Sequence, residues 1–281
     1  MKKLIPSIAG VLAGCLMATS AFAEEGPLVG GADVGNAPYI MQKPDGTFEG
    51  FDVDRLAEIA KRLGRPGYKL VDQQWSGIFA GLNAKRFDLI MASTIITKER
   101  AENVLFTEGD HGNDYRFLTA ADAPEVKSLD DLKGKVIAVN QGNTYDRWLA
   151  AREAQYGWKI ERYAKNEDAV QAVLGGRAFA NLASAGSTVW TASKNPRLKA
   201  SLVIDSGQSK AMAFRKDDTE LRNKVEAVLE CMKQDGTMAK LHAKWLGFEP
   251  PKDSPAYKVQ VGYGEPGYPG HDPTPHALNC K

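Results

Sequence analysis

The chain has 281 residues, a formal net charge of +1, and 43% hydrophobic and 25% charged residues. This length accommodates two ordinary domains or one large one, and the composition is that of a soluble globular protein. A nearly neutral chain offers no basic surface for nucleic acid or an anionic membrane, so we expect neither as a partner.

Residues 1–23 have the pattern of a secretory signal peptide. Two lysines precede a mostly apolar run, and Ala21-Phe22-Ala23 matches the small-x-small motif before a cleavage site. Cys15 follows Leu-Ala-Gly, which resembles a lipoprotein signal, but the apolar run continues past it. We therefore predict a periplasmic protein cleaved after residue 23, with lipid anchoring at Cys15 as the alternative.

Strands and helices then alternate, which predicts an α/β fold with a parallel-type sheet. A strand at residues 28–33 precedes a helix that Asp52 is predicted to cap, and Ser76 is the predicted cap of a second helix. From residue 119 the alternation starts again. We therefore assign residues 24–118 and 209–247 to a discontinuous first lobe and residues 119–208 to a second lobe.

Residues 87–100 combine a buried strand with the start of a helix. The strand is a short apolar run, and Thr97 is a good N-cap for the helix that follows. Free backbone N–H groups and the positive helix end favour an anion there, and Arg100 is placed to grip a carboxylate with two parallel hydrogen bonds. An isolated arginine would be interpreted as a surface residue; the strand-to-helix context favours binding.

Residues 248–281 are rich in proline and glycine, which predicts an extension without a core of its own, lying on the surface. Cys231 and Cys280 are the two cysteines left after leader removal, and an even pair in an exported protein predicts a disulfide. This bridge would close a loop of about fifty residues, worth on the order of 4 kcal/mol in the chain-entropy model. We expect His271 and His276 in this segment to be solvated.

Four motifs resemble a known family when taken in order. They lie at residues 50–54, 87–100, 129–144 and 235–247, and together they resemble the periplasmic solute-binding proteins of polar amino acid importers, family 3. The resemblance implies a two-lobed, type II-like periplasmic-binding-protein fold with two crossing strands and a ligand cleft. It also implies a monomer without cofactor or metal that closes on a small carboxylated solute and docks on the membrane permease of an ABC importer.

The resemblance carries a ligand site onto particular residues. Arg100 matches the residue that binds the α-carboxylate, and Thr144, next to Asn143, matches its partner in the second lobe. Trp75 matches an aromatic residue that packs on the ligand. The remaining matches are Ser93, at the end of the strand before Arg100; Asp33, near cationic ligand groups; and Ser184, where the family has an aspartate for the α-ammonium.

Three departures from the family pattern concern specificity. Ile95 replaces a hydroxyl residue, Asn36 replaces an aromatic residue, and Ser184 replaces the second-lobe aspartate. A serine accepts a hydrogen bond from an ammonium but offers no charge. Recognition of a standard free amino acid is therefore open, and we hypothesise a ligand whose amine is substituted or missing.

Two further functions remain as alternatives. The fold also serves as an accessory protein of periplasmic methanol oxidation, and the lost ligand residues and the long tail favour such a partner role. The periplasmic cyclohexadienyl dehydratases share the fold, but they need a cleft carboxylic acid, and Asp33 is the single candidate assigned here. Because zinc spacing, a phosphate loop and a nucleophile elbow are missing from the sequence, we predict a protein that is not an enzyme.

Overall fold

The computed structural model describes residues 25–280, so the predicted signal peptide lies outside the described residues. Across that part of the chain, no helix has the length and apolar character needed to span a membrane. The strands are β1 (Leu28–Ala32), β2 (Met41–Gln42), β3 (Phe48–Glu49), β4 (Tyr68–Asp72), β5 (Leu89–Ile95), β6 (Val104–Phe106), β7 (His111–Gly112), β8 (Tyr115–Ala120), β9 (Val136–Asn140), β10 (Lys159–Tyr163), β11 (Ala180–Ser184), β12 (Leu198–Ile204) and β13 (Ser209–Arg215).

The helices lie mostly between the strands, as the alternating pattern predicts. Short 3-10 turns occur at Trp75–Gly77 and Leu129–Leu132. The α-helices are α1 (Phe51–Arg62), α2 (Ile78–Asn83), α3 (Lys98–Asn103), α4 (Thr144–Ala150), α5 (Glu153–Tyr156), α6 (Asn166–Leu174), α7 (Ala185–Lys194), α8 (Thr219–Gln234) and α9 (Thr237–Leu246).

Each of the two lobes is built on one sheet. The first has the strand order β4-β1-β5-β13-β6, with β7 paired to β13, and the second has the order β10-β9-β11-β8-β12. In the first sheet β1 is parallel to β4 and β5, whereas β13 is antiparallel to β5. The chain crosses to the second sheet after β7 and returns after β12. This is the predicted two-lobed α/β architecture.

The chain passes from the first lobe to the second earlier than predicted. Tyr115 and Phe117, on β8, pack into the core of the second lobe beside Leu182, and β8 pairs along its length with β11. A boundary after residue 118 would therefore cut a strand of the second sheet, because the apolar side chains of β8 are buried in that lobe. The other lobe boundaries remain a prediction.

Helix starts follow local chemistry, with two corrections. Ser76 lies inside a 3-10 turn and does not cap α2, which begins after Gly77. Thr97 caps α3 as predicted, since its side chain accepts a hydrogen bond from the Arg100 backbone N–H at 3.2 Å.

Asp52 does not cap α1, which begins after Gly50. That glycine has φ 136°, and a Cβ there would lie 2.2 Å from the Tyr39 carbonyl oxygen. The Asp52 carboxylate instead turns inward, where it has buried partners.

The C-terminal extension is anchored to the first lobe. The predicted disulfide joins Cys231 of α8 to Cys280, with Cα atoms 5.3 Å apart. The expectation of a solvated histidine at position 276 is wrong: the His276 Nε2 atom lies 2.7 Å from a Glu230 carboxylate oxygen, and its ring stacks on Tyr263. The extension lacks its own core because it covers buried acidic side chains of α8 instead.

Candidate functional site

One cavity lies between the two lobes, and the structure brings all seven sequence-predicted ligand residues into its wall. Hydrogen bonds join the two lobes: the Ser187 hydroxyl donates to the Asn36 amide oxygen at 3.1 Å, and Lys165 donates to Asp72 at 2.7 Å. The predicted residues in the wall are Asp33, Trp75, Ser93, Arg100, Asn143, Thr144 and Ser184.

Arg100 presents a buried cation to this cavity. It is 6% exposed, and its Nη1 donates to the Ile95 carbonyl oxygen at 2.8 Å. The guanidinium carbon lies 5.3 Å from the ring centroids of both Trp75 and Phe79. Within residues 25–280, its Nη2 has no hydrogen-bond partner. Burial lowers the pKa of Arg100 to about 10, so the group stays charged at neutral pH with one donor arm free.

The second lobe contributes a hydroxyl from the start of α4. Thr144 is 7% exposed, and its Oγ1 atom has no hydrogen-bond partner in the part of the chain that the structure describes. The neighbouring Asn143 is already used, because its side-chain oxygen accepts the Asp146 backbone N–H at 2.9 Å and caps the helix. Thr144 and Arg100 therefore offer unused donors from opposite lobes.

Asp33 follows β1 and contributes an acid to the wall. Its Oδ2 accepts from the Trp75 backbone N–H at 3.2 Å and from the Asn140 side chain at 3.3 Å. Its Oδ1 has no partner among the described residues. Burial raises the pKa of Asp33 to about 6, against the opposing effect of the Trp75 N–H. A cationic ligand group would favour the ionised carboxylate.

Ser93 and Ser184 line the cavity, but both hydroxyls already serve the protein. The Ser93 hydroxyl donates to an Asp52 carboxylate oxygen at 2.6 Å. The Ser184 oxygen accepts the Ser187 backbone N–H at 3.2 Å and caps α7. Ser184 thus has a helix-capping role that the sequence reasoning did not foresee.

Sequence reasoning missed several polar residues of the wall, among them Asp52, Asn140, Asn166 and Lys210. Asp52 was interpreted as a helix cap. Lys210, on β13, is 3% exposed, and its ammonium nitrogen lies 4.5 Å from the Tyr39 ring centroid. The available signal was a single lysine at the start of an otherwise apolar strand, Lys-Ala-Met-Ala-Phe.

A group of acidic residues elsewhere has the spacing of metal ligands. Over residues 25–280, Glu108, Glu226 and Glu230 form the one cluster whose ligand atoms lie within 4.8 Å of one another. It lies outside the cleft, and the Lys233 ammonium donates to Glu108 at 2.6 Å. A protein cation therefore already supplies positive charge there.

Comparisons with known proteins show the family and the fold. Residues 28–248 match the family model of the bacterial extracellular solute-binding proteins, family 3. The chain is 30% identical over 258 residues to the histidine-binding periplasmic protein of Escherichia coli (strain K12), an alignment that covers 89% of this chain and 98% of that protein.

Solved structures with the same fold include two ancestral proteins. One is an ancestral arginine-binding protein bound to arginine, with a TM-score of 0.75, 28% identity, and coverage of 79% of this chain and 99% of that one. The other is an ancestral amino acid-binding protein described as a precursor of cyclohexadienyl dehydratase, with a TM-score of 0.72, 31% identity, and coverage of 79% and 96%.

Proposed function

We propose that this chain, which belongs to the bacterial extracellular solute-binding proteins of family 3, is the substrate-binding component of an ABC importer. Its ligand is an amino acid or a related small solute that carries a carboxylate. The solute binds in the cavity between the lobes and holds them closed. The names of the relatives, which include amino acid-binding periplasmic proteins, support this assignment.

The observation that carries the proposal is the free arm of the buried Arg100 guanidinium, with the unused Thr144 hydroxyl across the cleft. Leaving buried donors without partners costs free energy, so such groups point to a partner that the protein itself does not supply. A ligand carboxylate satisfies both donors at once. Because Arg100 and Thr144 lie on different lobes, a solute that contacts both favours the closed arrangement.

Asp33 and Trp75 define what the rest of the ligand carries. The free Asp33 oxygen accepts from a cationic or amide group, and the half-buried Trp75 ring offers an apolar surface to the ligand's body. A ligand cation lowers the pKa of Asp33 by favouring its charged form. The site therefore suits a solute with a carboxylate at one end and a donor further along.

The same proposal covers location and partner. We place the mature protein in the periplasm, exported by residues 1–23, with the membrane permease of an ABC importer as its docking partner. Anchoring through Cys15 is the alternative to free release. An accessory role without transport is less well supported, because the cleft retains unsatisfied ligand-binding groups.

We further propose that the cleft binds its solute without transforming it. Asp33, with a pKa near 6, is the acid with a free oxygen in the cleft, and the dehydratase relationship makes it the residue to test. An NMR time course of the bound solute with catalytic amounts of protein should show no product. Product formation that disappears in Asp33→Asn would assign an enzymatic role instead.

Native mass spectrometry of the purified protein, followed by calorimetry on Arg100→Ala, tests the binding role. We expect a retained small solute and a loss of affinity of at least a hundredfold in the variant, because a truncated, desolvated charge pair typically costs several kcal/mol. Arg86→Ala is the control, since Arg86 is an exposed arginine outside the cleft. Unchanged affinity in Arg100→Ala would exclude carboxylate anchoring at this residue.

A further inference from the structure

Lys210 is a buried cation without a partner. Its side chain lies in the cleft wall and is 3% exposed, yet among residues 25–280 its ammonium makes no hydrogen bond or ion pair. The ammonium nitrogen lies 4.5 Å from the centroid of the Tyr39 ring. Lysine is almost never fully buried without pairing, because desolvating an ammonium is costly. Because Lys210 lines the cavity, water or a ligand in the cleft must satisfy its ammonium if it stays charged.

The nearest acids are already engaged. The Asp52 carboxylate accepts from the Ser93 hydroxyl and pairs with Arg55 at 2.8 Å. Asp110 pairs with the same arginine and with the His111 ring. Burial lowers the pKa of Lys210 to about 8, against the opposing Coulombic effect of these two acids, so the group is still mostly charged at neutral pH. Their oxygens are committed to other donors, which leaves the lysine's donors for a ligand.

Lys210 lines the same cavity as Ile95 and Ser184, two positions that depart from the family pattern. Its backbone pairs with Ile95 on the neighbouring strand, and the Tyr39 hydroxyl reaches the start of α7 at Gly186, beside Ser184. Neither Ile95 nor Ser184 offers a negative charge. A cation in a cavity wall where Ser184 replaces the family's aspartate disfavours a ligand ammonium and favours an anionic oxygen.

We propose that Lys210 binds a second carboxylate of the ligand, so that the solute is an amino-acid-derived dicarboxylate. This inference rests on the function proposed above. Arg100 Nη2 and Asp33 Oδ1 have no hydrogen-bond partner among the described residues, and the Lys210 ammonium, from the same wall, makes no hydrogen bond or ion pair with them. Two carboxylates and one protonated nitrogen complement that set of charges.

Two kinds of solute share this chemistry. An acidic amino acid carries the second carboxylate on its side chain and keeps a free α-ammonium. An amino acid with a carboxyalkyl group on its nitrogen carries the second carboxylate beside a secondary ammonium. The departure at Ser184 favours the second kind, because a substituted nitrogen needs less acidic enclosure.

Calorimetry with two matched pairs of compounds tests the inference. Glutamate and glutamine differ only in the side-chain carboxylate, and N-(1-carboxyethyl)arginine and arginine differ only in the N-substituent. We expect the wild-type protein to bind the dicarboxylate at least tenfold more tightly in one pair, which identifies the source. Lys210→Met should weaken that compound at least thirtyfold and change its monocarboxylate partner by less than threefold.

Lys210→Arg is the charge-preserving control and should keep the preference for the dicarboxylate. It also keeps the test decisive if Lys210→Met does not fold, in which case Lys210→Gln replaces it. The inference is overturned if the monocarboxylates bind as well as or better than the dicarboxylates, or if neutral variants keep the preference; the transport function then stands. If no compound binds and no solute is retained on purification, the proposed function itself fails.

Discussion

The cleft and the region under the C-terminal extension each bury a lysine, and they treat it in opposite ways. Lys233, under the extension, is 1% exposed, and its ammonium donates to Glu108 at 2.6 Å and to the Gly109 and Lys258 carbonyl oxygens at 2.7 and 3.0 Å. Lys210, in the cleft, is buried almost as fully and has none of these bonds within the described chain.

This difference distinguishes a buried lysine with a structural role from one with a binding role. Where the chain satisfies every donor of a buried cation, as at Lys233, the cation holds elements together. Where the chain buries a cation and leaves its donors free, as at Lys210, the group is available to a ligand. Substitutions under the extension should therefore lower stability and leave binding unchanged, whereas substitutions of the free cleft donors should lower affinity without lowering stability.

The largest expected effect is the loss of stability that follows substitution of Lys233. Lys233→Met leaves Glu108 buried without its ion-pair partner, which typically costs about 3–5 kcal/mol of unfolding free energy. Urea unfolding measures this loss, and ligand affinity should stay within twofold of wild type. Lys240→Met, at an exposed position of α9, is the control. A loss below about 1 kcal/mol would remove the contrast between the two lysines.

The second largest expected effect is the loss of stability that follows removal of the disulfide. Replacing Cys231 and Cys280 together by serine should lower the unfolding free energy by about 2–4 kcal/mol, because the unfolded chain regains the freedom of a loop of 49 residues' separation. Chemical reduction of the wild-type protein should give a matching loss. Ligand affinity should again be unchanged; a parallel loss of affinity would mean that the extension supports the cleft.

A smaller effect concerns the pH dependence of stability. Burial raises the pKa of Glu226 to about 8. The protonated form is favoured in the folded state, so this contribution to stability is complete below the ordinary glutamate value and is lost as the pH rises through 8. Between pH 5 and 7 the wild type should lose on the order of 2–3 kcal/mol more than Glu226→Gln.

Thermal unfolding at a series of pH values measures this difference. The matched control is Glu220→Gln, an exposed glutamate of the same helix, which should follow the wild-type curve. If Glu226→Gln also follows that curve, the carboxyl group is ionised throughout the range.

The smallest expected effect follows substitution of Thr144 in the cleft. Thr144→Val removes a buried Oγ1 atom that has no partner among the described residues, so stability should stay the same or rise. Affinity should fall about fivefold, the value of one hydrogen bond of about 1 kcal/mol. Thr188→Val is the counterpart: its hydroxyl donates to the Arg116 carbonyl oxygen at 3.3 Å, so stability should fall and affinity should not. If Thr144→Val lowered stability and Thr188→Val lowered affinity, the division between binding and structural roles would be contradicted.

Local sequence patterns predict the fold's elements and the cleft's main anchor. The apolar run of β5 and the N-cap at Thr97 need only neighbouring residues to be recognised, and Arg100 follows from them. The order of four motifs then supplies the two-lobed fold. The start of β8 was misplaced by a few residues because the burial of Tyr115 depends on strands that come much later in the chain.

What the sequence did not predict depends on partners distant along the chain. Asp52 was taken for a cap because its burial depends on Ser93, 41 residues away. Lys210 joins the cleft through pairing of β13 with β5, a register that periodicity does not encode. His276 was expected in solvent because its neighbours in the sequence do not indicate a partner. It meets Glu230 only when the extension packs against α8.

The position of Trp75 gives the molecule an intrinsic optical reporter. The chain has five tryptophans, and within the described residues Trp75 is the one in the wall of the cleft, with its indole close to Arg100. A solute that displaces water from this ring changes its emission, whereas the other indoles lie outside the cavity. Fluorescence titration of the unlabelled protein therefore reads cleft occupancy directly, and Trp75→Phe supplies the silent reference.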